Sequence, residues 1–219
     1  MSANEPRCKS CGKTGIHWCH DVVNCKKTVI LVNGLKRAGK DYTSDLLVAA
    51  LNNCSMSAKS FSFAAPMKCI ISKTFNITLA QLDDYKNDSE RYHLCPIDMK
   101  DGNHGDHTNF RTILQRFGTE AMKPIFGDTI WTELVCKNIR KSKEDFIIIS
   151  DFRFTEEYDY MVKQQEFNVI TVNVQGQSQE DPNAHASERK PTCHFDHVID
   201  NSKQDGTVAK WVSNFIKEL

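Results

Sequence analysis

The sequence has no run of apolar residues long enough to span a membrane. It also has no excess charge of one sign, because 28 Lys and Arg face 28 Asp and Glu, so a broad surface for nucleic acid or anionic lipid is not expected. The polar N-terminus is not typical of a secretory signal peptide, and the guanine-reading motif Asn-Lys-x-Asp is absent, which argues against a GTPase. We therefore expect a soluble protein of the cytoplasm.

The cysteines indicate a reducing compartment rather than a secreted disulfide framework, because the nine of them are odd in number and lack framework spacing. Four cysteines nevertheless cluster within residues 1–27, beginning with a Cys-x-x-Cys knuckle, and they could form a structural zinc site: Cys8, Cys11, Cys19 and Cys25, with His17 or His20 as substitutes. A second Cys-x-x-Cys is missing. The alternative is a disordered tail with incidental cysteines, and in either case residues 28–219 form a separate domain.

The strongest motif lies between a predicted buried strand, Thr28–Val32, and a predicted helix that carries Leu46, Leu47, Ala50 and Leu51. It reads Gly-x-x-x-x-Gly-Lys, the pattern of a phosphate-binding loop. Backbone N–H groups of such a loop surround phosphate oxygens, and the lysine reaches the β and γ phosphates of a nucleotide. The residues expected to bind ATP are Gly34, Leu35, Lys36, Arg37, Ala38, Gly39, Lys40, Asp41 and Tyr42.

The residue after the loop lysine is unusual, because Asp41 stands where Ser or Thr normally gives a hydroxyl group to Mg²⁺. A carboxylate can also ligate Mg²⁺, directly or through water. A second carboxylate, Asp151, follows the buried strand Phe146–Ile149, at the place where phosphate-loop enzymes hold the magnesium water shell. We expect Asp41 and Asp151 to organise Mg²⁺, although an Asp after a strand is often only a turn former or a helix cap.

Further strands are predicted at residues 58–64, 167–174 and 197–201, between helical segments. This alternation predicts an α/β protein of three layers, with a parallel sheet of about five strands and helices on both faces. A final amphipathic helix should pack on the sheet through Val208, Trp211, Val212, Phe215, Ile216 and Leu219.

Several polar side chains are expected near the binding edge of this sheet. Lys68 lies one turn into a helix that starts with Pro66, and Arg153 emerges two residues after Asp151. Arg111 and Gln115 share one face of a helix over 110–120 for which Gly118 predicts the stop. Trp131 lies in a helix over 128–139, where its spacing favours the core over ligand stacking. Each of these polar groups has a simpler interpretation as a solvated side chain.

The polar stretch 175–192 contains three charged residues expected to form a lid over the phosphates: Glu188, Arg189 and Lys190. Basic lid residues would neutralise charge during phosphoryl transfer. A charged loop of this kind is more often only solvated.

Together these pieces resemble the phage- and virus-type deoxynucleoside monophosphate kinases, which belong to the P-loop kinase superfamily. The matching segments occur in the family's order: 34–41, 63–68, Arg111 with the residues to Glu120, Trp131, Ser-Asp-Phe-Arg at 150–153 and His-Ala-Ser-Glu at 185–188. In that family Asp commonly follows the loop lysine. The resemblance covers roughly residues 28–219 and leaves 1–27 outside.

The resemblance implies ATP- and Mg²⁺-dependent phosphoryl transfer to a deoxynucleoside monophosphate, giving ADP and the diphosphate. It implies catalytic roles for Lys40, Asp151 and Arg153. The acceptor would be bound by Lys68, Arg111, Gln115, Trp131 and Arg153. Small-molecule partners are expected without membrane or direct nucleic-acid contact, a homodimer is left open, and the location is the host-cell cytoplasm if the chain is viral.

Two departures from the family pattern bear on the lid and on the strand end. Family members often have Thr where Phe152 stands, and some carry Arg directly after the strand that ends at Val174, where this chain has Gln175.

Two alternative functions stay open. Animal-type phosphomevalonate kinases share the Gly-Lys-Asp loop, the Ser-Asp-x-Arg strand end and a Ser-Glu pair. A nucleotide-binding switch or zinc-bearing adaptor without a small acceptor is the alternative from another class.

Overall fold

The computed structural model describes residues 26–86, 109–178 and 190–219. Its centre is a five-stranded sheet in which every neighbouring pair is parallel, with strand order β2-β3-β1-β4-β5. The strands are β1 (Lys27–Asn33), β2 (Ala58–Phe61), β3 (Phe146–Ile149), β4 (Phe167–Gln175) and β5 (His197–Asp200).

Helical segments connect these strands and form two outer layers. They are α1 (Lys40–Asn53), α2 (Ala65–Thr74), α3 (Leu79–Tyr85), α4 (Phe110–Gln115), α5 (Met122–Phe126), α6 (Ile130–Lys141), α7 (Thr155–Lys163) and α8 (Thr207–Glu218). A π-helical turn, Arg116–Ala121, joins α4 directly to α5. None of the helices within the described ranges combines the length and the apolar character that a membrane crossing requires.

The two faces of the sheet bury separate apolar cores, because successive side chains of a strand point to opposite sides. In β1, Ile30 and Val32 pack with residues of α1 and α8, such as Leu47 and Phe215. The other β1 face packs against α6 and α7 through Val135, Ile139 and Met161, among others. These observations confirm the prediction of a three-layer fold with a parallel sheet of five strands.

A third, smaller core lies beside the sheet and holds α2, α3 and α4 together. Its buried residues are Ile71, Leu82, Phe110, Ile113 and Leu114. Helix α3 is well defined at its start, because Thr78 and Gln81 form a capping box in which each side chain binds the other residue's backbone N–H. This helical unit forms one wall of the cavity described below.

The prediction that Gly118 stops its helix is wrong. The helix widens into the π-helical turn there and runs on to Phe126, and the chain turns only at Gly127, with φ 98°. Gly118 allows close packing instead, since a Cβ at this position would overlap Met67 Sδ. Its carbonyl group accepts a hydrogen bond of 2.9 Å from Trp131 Nε1.

Other boundaries differ from the sequence expectations in smaller ways. The second strand ends at Phe61, because residues 62–64 turn to bind Asp151. Helix α6 is displaced by two residues from the range predicted for it. Helix α7, Thr155–Lys163, has no counterpart among the predictions although its buried Met161 and half-buried Tyr158 lie at helical spacing.

Candidate active site

A cavity of about 790 Å³ opens at the carboxyl ends of β1 and β3, where ligands bind in parallel α/β sheets. It is continuous from the phosphate-binding loop to the helical unit of α2, α3 and α4. Among the described residues, nine basic side chains line it: Lys36, Arg37, Lys40, Lys68, Lys86, Arg111, Lys123, Arg153 and Lys190. Three carboxylates from the same part of the chain do so, Asp41, Asp151 and Glu157. This excess of positive charge suits ligands that carry several phosphate charges.

The phosphate-binding loop connects β1 to α1 as the motif predicts. Ala38 N donates to Leu35 O at 3.1 Å, which closes a turn inside the loop. Gly39 precedes α1 with φ 97°, a conformation that favours glycine. A Cβ there would also lie 2.5 Å from Asn201 Nδ2. The second glycine of the motif is therefore required both by its backbone conformation and by its neighbour.

The loop is supported from outside by residues that sequence reasoning missed. Asn201, buried after β5, donates from Nδ2 to Ala38 O at 3.0 Å, and its backbone N donates to Gln175 O at 2.7 Å. Ser178 Oγ donates to Lys36 O at 3.0 Å. The two supports lie about 140 and 160 positions away in sequence, and no local pattern marks them.

Lys40 begins α1 and lies in the cavity close to three charged groups. Burial lowers the pKa of its ammonium group, the neighbouring Asp41 and Asp151 oppose that shift, and Arg153 adds to it. A cation that has lost part of its hydration interacts strongly with an incoming phosphate. The structure thus brings Lys40, Asp151 and Arg153, the three predicted catalytic residues, into one place.

Asp151 also has a structural role that the sequence did not reveal. Its Oδ2 accepts hydrogen bonds from Ser62 Oγ at 2.6 Å and Ala64 N at 2.9 Å, and its Oδ1 accepts from Phe63 N at 2.9 Å. These bonds fix the turn between β2 and α2 against the end of β3. The carboxylate retains lone pairs for a further contact.

The donor set at this edge is compatible with magnesium. Asp41 is exposed and Asp151 is half-buried, and both supply the hard oxygen ligands that Mg²⁺ prefers. Within residues 26–86, 109–178 and 190–219, no three His, Cys, Asp or Glu side chains gather into a metal site. Two carboxylates with room for a nucleotide's phosphates are the arrangement expected for an ion that arrives with its nucleotide.

The far wall of the cavity carries the predicted acceptor residues. Arg111 and Gln115 both line it from α4, as their shared helix face indicated. Lys68 also lines it, but its Nζ is bound to Asp83 Oδ1 at 2.8 Å. Lys86, which was not predicted, binds the same oxygen at 2.6 Å. Burial raises the pKa of Asp83, but the hydrogen bonds from the two lysines outweigh it, so the net shift is downward.

Trp131 is both a core residue and a cavity residue. It is 6% exposed, as its helical spacing predicts, yet it lines the cavity beside Gly118. Phe152, where family members often have Thr, is 1% exposed and belongs to the core that includes residues of α6 and α7. Its carbonyl group accepts a hydrogen bond from Asn33 Nδ2 at 2.8 Å. Gln175 is exposed at the end of β4.

Sequence reasoning missed two buried residues that line the cavity, Lys123 and Glu157. The part of the cavity around them is called its inner end below. Glu157 Oε2 accepts from Arg153 N at 2.9 Å and Phe154 N at 3.1 Å, which caps α7. Lys123 Nζ lies 3.4 Å from the centroid of the Phe154 ring. Their only sequence signals were a helix-capping Glu and a Lys in a short apolar stretch, and neither signal is specific.

Burial raises the pKa of Glu157 to about 8, and Asp151 adds to the shift while the two backbone N–H groups and Lys123 oppose it. The folded chain therefore holds a proton on this carboxyl group that the unfolded chain releases above its ordinary pKa of 4.5. The contribution of Glu157 to the free energy of unfolding must then fall as pH rises from about 4.5 to 8, by at most about 1.4 kcal/mol per pH unit.

We expect Glu157→Gln to remove this pH-dependent contribution. As pH rises from about 4.5 to 8, the free energy of unfolding of the variant should therefore increase relative to that of the parent. Urea titrations at several pH values would measure it. Glu156→Gln is the matched control, because Glu156 is exposed on the same helix turn. Parallel pH curves for the parent and Glu157→Gln would contradict the raised pKa.

The predicted lid and the zinc knuckle fall largely outside the described residues. Glu188 and Arg189 lie there, as do Cys8, Cys11, Cys19 and Cys25 with His17 and His20. Lys190 is described: it is exposed, it lines the cavity, and its Nζ lies 5.1 Å from the centroid of the Phe195 ring. The lid and zinc roles stay predictions.

A parallel sheet that ends in a phosphate-binding loop, with a basic cavity running to a separate helical wall, defines a phosphotransferase of the P-loop kinase class. The family model described as deoxynucleotide monophosphate kinase matches residues 81–213, which is more than half of the 219 residues. The chain belongs to this family. Its substrates are accordingly small nucleotides.

Two solved structures show how far the likeness extends in three dimensions. A mutant of the APS kinase of Mycobacterium tuberculosis has a TM-score of 0.42 and 9% identity, over 89% of this chain and 98% of its own. A gluconokinase from Sinorhizobium meliloti has a TM-score of 0.34 and 11% identity, over 89% and 99%. At these values the likeness carries no argument about activity. No curated protein matches the sequence.

Proposed function

We propose that the chain transfers the γ-phosphoryl group of ATP to the phosphate group of a deoxynucleoside monophosphate, giving ADP and the diphosphate. The observation that carries the proposal is the single continuous cavity. The phosphate-binding loop with Lys40 lines one end, and Arg111 and Gln115 line the other, and Arg153 lines the same cavity. Two phosphorylated ligands can therefore meet within one basic enclosure, as direct transfer requires.

The backbone amides of residues 35–40 and the Lys40 ammonium group would hold the phosphates of ATP. Lys68, Arg111 and Arg153 would hold the acceptor phosphate in line with the γ-phosphoryl group. Mg²⁺ bound with ATP near Asp41 and Asp151 would supply neutralisation of phosphate charge. Catalysis then consists of positioning and electrostatic stabilisation, without a covalent intermediate.

The walls at the inner end of the cavity favour a nucleotide acceptor over phosphomevalonate. Met67, Leu114, Trp131 and Phe154 give this end broad apolar surfaces, which suit a planar base. Phosphomevalonate has no planar ring to lie against these surfaces. The family membership of the chain supports the same choice.

The decisive experiment is a panel of single acceptors with ATP and Mg²⁺, followed by ADP release. The panel contains the deoxy- and ribonucleoside monophosphates and 5-phosphomevalonate. We expect turnover with at least one deoxynucleotide and none with phosphomevalonate. Turnover with phosphomevalonate alone would replace the proposal by that activity. Slow ATP hydrolysis that no acceptor accelerates would instead favour a nucleotide-binding switch.

A further inference from the structure

The inner end of the cavity contains two buried ionisable side chains that phosphoryl transfer does not require. Lys123, on α5, is 8% exposed, and Glu157, on α7, is 5% exposed. Charged side chains are rarely buried to this extent without a partner, because removal from water is costly. Both line the same cavity as the phosphate-binding loop. Their burial therefore needs an explanation of its own.

Lys123 keeps its hydrogen-bonding capacity unused within the described part of the chain. Its Nζ lies over the face of Phe154, 3.4 Å from the ring centroid, which stabilises the positive charge but satisfies none of its N–H groups. No carboxylate or carbonyl group of the described residues accepts from it. The ammonium group is thus held in position with donors to spare.

Glu157 keeps one carboxyl oxygen unused in the same way, and this oxygen is a free acceptor once the carboxyl group is ionised, above its pKa of about 8. Its Oε2 accepts from Arg153 N and Phe154 N, whereas no described residue forms a hydrogen bond with Oε1. Lys123 and Glu157 interact electrostatically, but they do not form a direct ion pair in the described ranges. Lys123 Nζ and Glu157 Oε1 are therefore a donor and an acceptor at the inner end of the cavity, and no described residue forms a hydrogen bond with either.

The surroundings restrict what this pair can bind. Gly118 and Thr119 of the π-helical turn line the cavity, together with Met67, Leu114 and Trp131. π-Helical turns within longer helices often occur at functional sites. A second anion would be repelled by ionised Glu157, and an isolated cation would be repelled by Lys123. A neutral planar group with a hydrogen-bond acceptor beside a donor satisfies both residues, and the edge of a nucleobase is such a group.

We propose that Lys123 and Glu157 determine which base the enzyme accepts, with Lys123 donating to an acceptor atom of the base edge and Glu157 accepting from the adjacent N–H group. The inference rests on the proposed function, because it assigns the base of the same acceptor nucleotide. It adds two specificity-determining residues to the predicted acceptor-binding residues, of which Gln115 is one. A base that presents the wrong order of donor and acceptor leaves both buried groups unpaired, which is the strongest source of discrimination available to a binding site.

The test compares Lys123→Met and Glu157→Gln with the parent protein on all four deoxynucleoside monophosphates, at a pH of about 9 so that Glu157 is ionised as the proposed contact requires. For the preferred base we expect kcat/KM to fall about 10- to 100-fold, with a smaller fall for the poorest base, so that the preference flattens. The KM for ATP should stay within about twofold. Affinity for 2-deoxyribose 5-phosphate, which has the sugar and phosphate without a base, should not change.

The controls are Lys137→Met and Glu156→Gln, since both residues are exposed and neither lines the cavity. In Glu157→Gln the amide oxygen of the introduced side chain can still accept from the two backbone N–H groups, so the cap of α7 is kept. Unchanged ratios of kcat/KM among the four bases in both variants would overturn the inference, as would equal loss of affinity for 2-deoxyribose 5-phosphate. If the parent itself phosphorylates no deoxynucleotide, the proposed function has failed instead.

Discussion

Replacement of Lys40 by Met is expected to lower turnover by about 100- to 1,000-fold while the fold stays intact. The loss follows from the position of Lys40 at the start of α1, where it faces the cavity among Asp41, Asp151 and Arg153. Lys40 directly follows Gly39, the last glycine of the loop, and its ammonium group lies in the cavity. Without it, the negative charge that develops between the β and γ phosphates has no fixed partner from the loop.

The fold should tolerate this change, because burial already disfavours the charged form of Lys40 and Met retains much of its apolar length. Circular dichroism and a melting temperature within about 2 °C of the parent would show this. Lys163→Met is the control, since Lys163 is exposed at the end of α7. Full activity in Lys40→Met would remove the phosphate-binding loop from the mechanism.

The second large effect is expected at Asp151. Asp151→Asn should lower activity about 100-fold and also destabilise the protein, because the carboxylate accepts three hydrogen bonds that an amide cannot accept together. The amide NH₂ group would face a backbone N–H of Phe63 or Ala64. A buried donor left without an acceptor costs about 1–3 kcal/mol.

Ser62→Ala separates the structural task of Asp151 from its proposed role in magnesium binding. It removes one of the three hydrogen bonds, at about 1 kcal/mol, and leaves the carboxylate in place. We expect the Mg²⁺ concentration for half-maximal activity to rise in Asp151→Asn and to stay unchanged in Ser62→Ala. Equal Mg²⁺ dependence in both variants would restrict Asp151 to holding the turn between β2 and α2.

The hydrogen bonds of Asp151 hold the end of β3 at the place where the reaction is expected. The same carboxylate binds residues 62–64, and α2 with Lys68 starts directly after them. The position of a proposed acceptor residue is thus coupled to that of a proposed catalytic residue. Lys68 is further fixed by Asp83, which also holds Lys86.

The sequence by itself determined the parts of this protein that depend on local pattern. Continuous apolar runs marked strands buried on both faces, such as Phe146–Ile149. The loop motif between β1 and α1 located the proposed phosphate site, because its glycines and lysine occur at fixed spacing along the chain. Since parallel strands end at one edge of a sheet, Asp151 and Arg153 could be assigned to the same site.

Tertiary structure alone decided the parts that depend on distant partners. The turn at 62–64 became a binding partner of Asp151 only because β2 and β3 are neighbours in the sheet. Gly118 is a packing residue because α2 brings Met67 against it, and its helix continues because packing there outweighs glycine's low helix propensity.

The inner end of the cavity shows the same limit most clearly. Lys123 and Glu157 are 34 positions apart in sequence, and each alone has the pattern of an ordinary helix residue. Burial, the Phe154 ring and two backbone N–H groups make them a fixed donor and acceptor. Desolvation and hydrogen-bond geometry are properties of the assembled fold, and a sequence pattern contains neither.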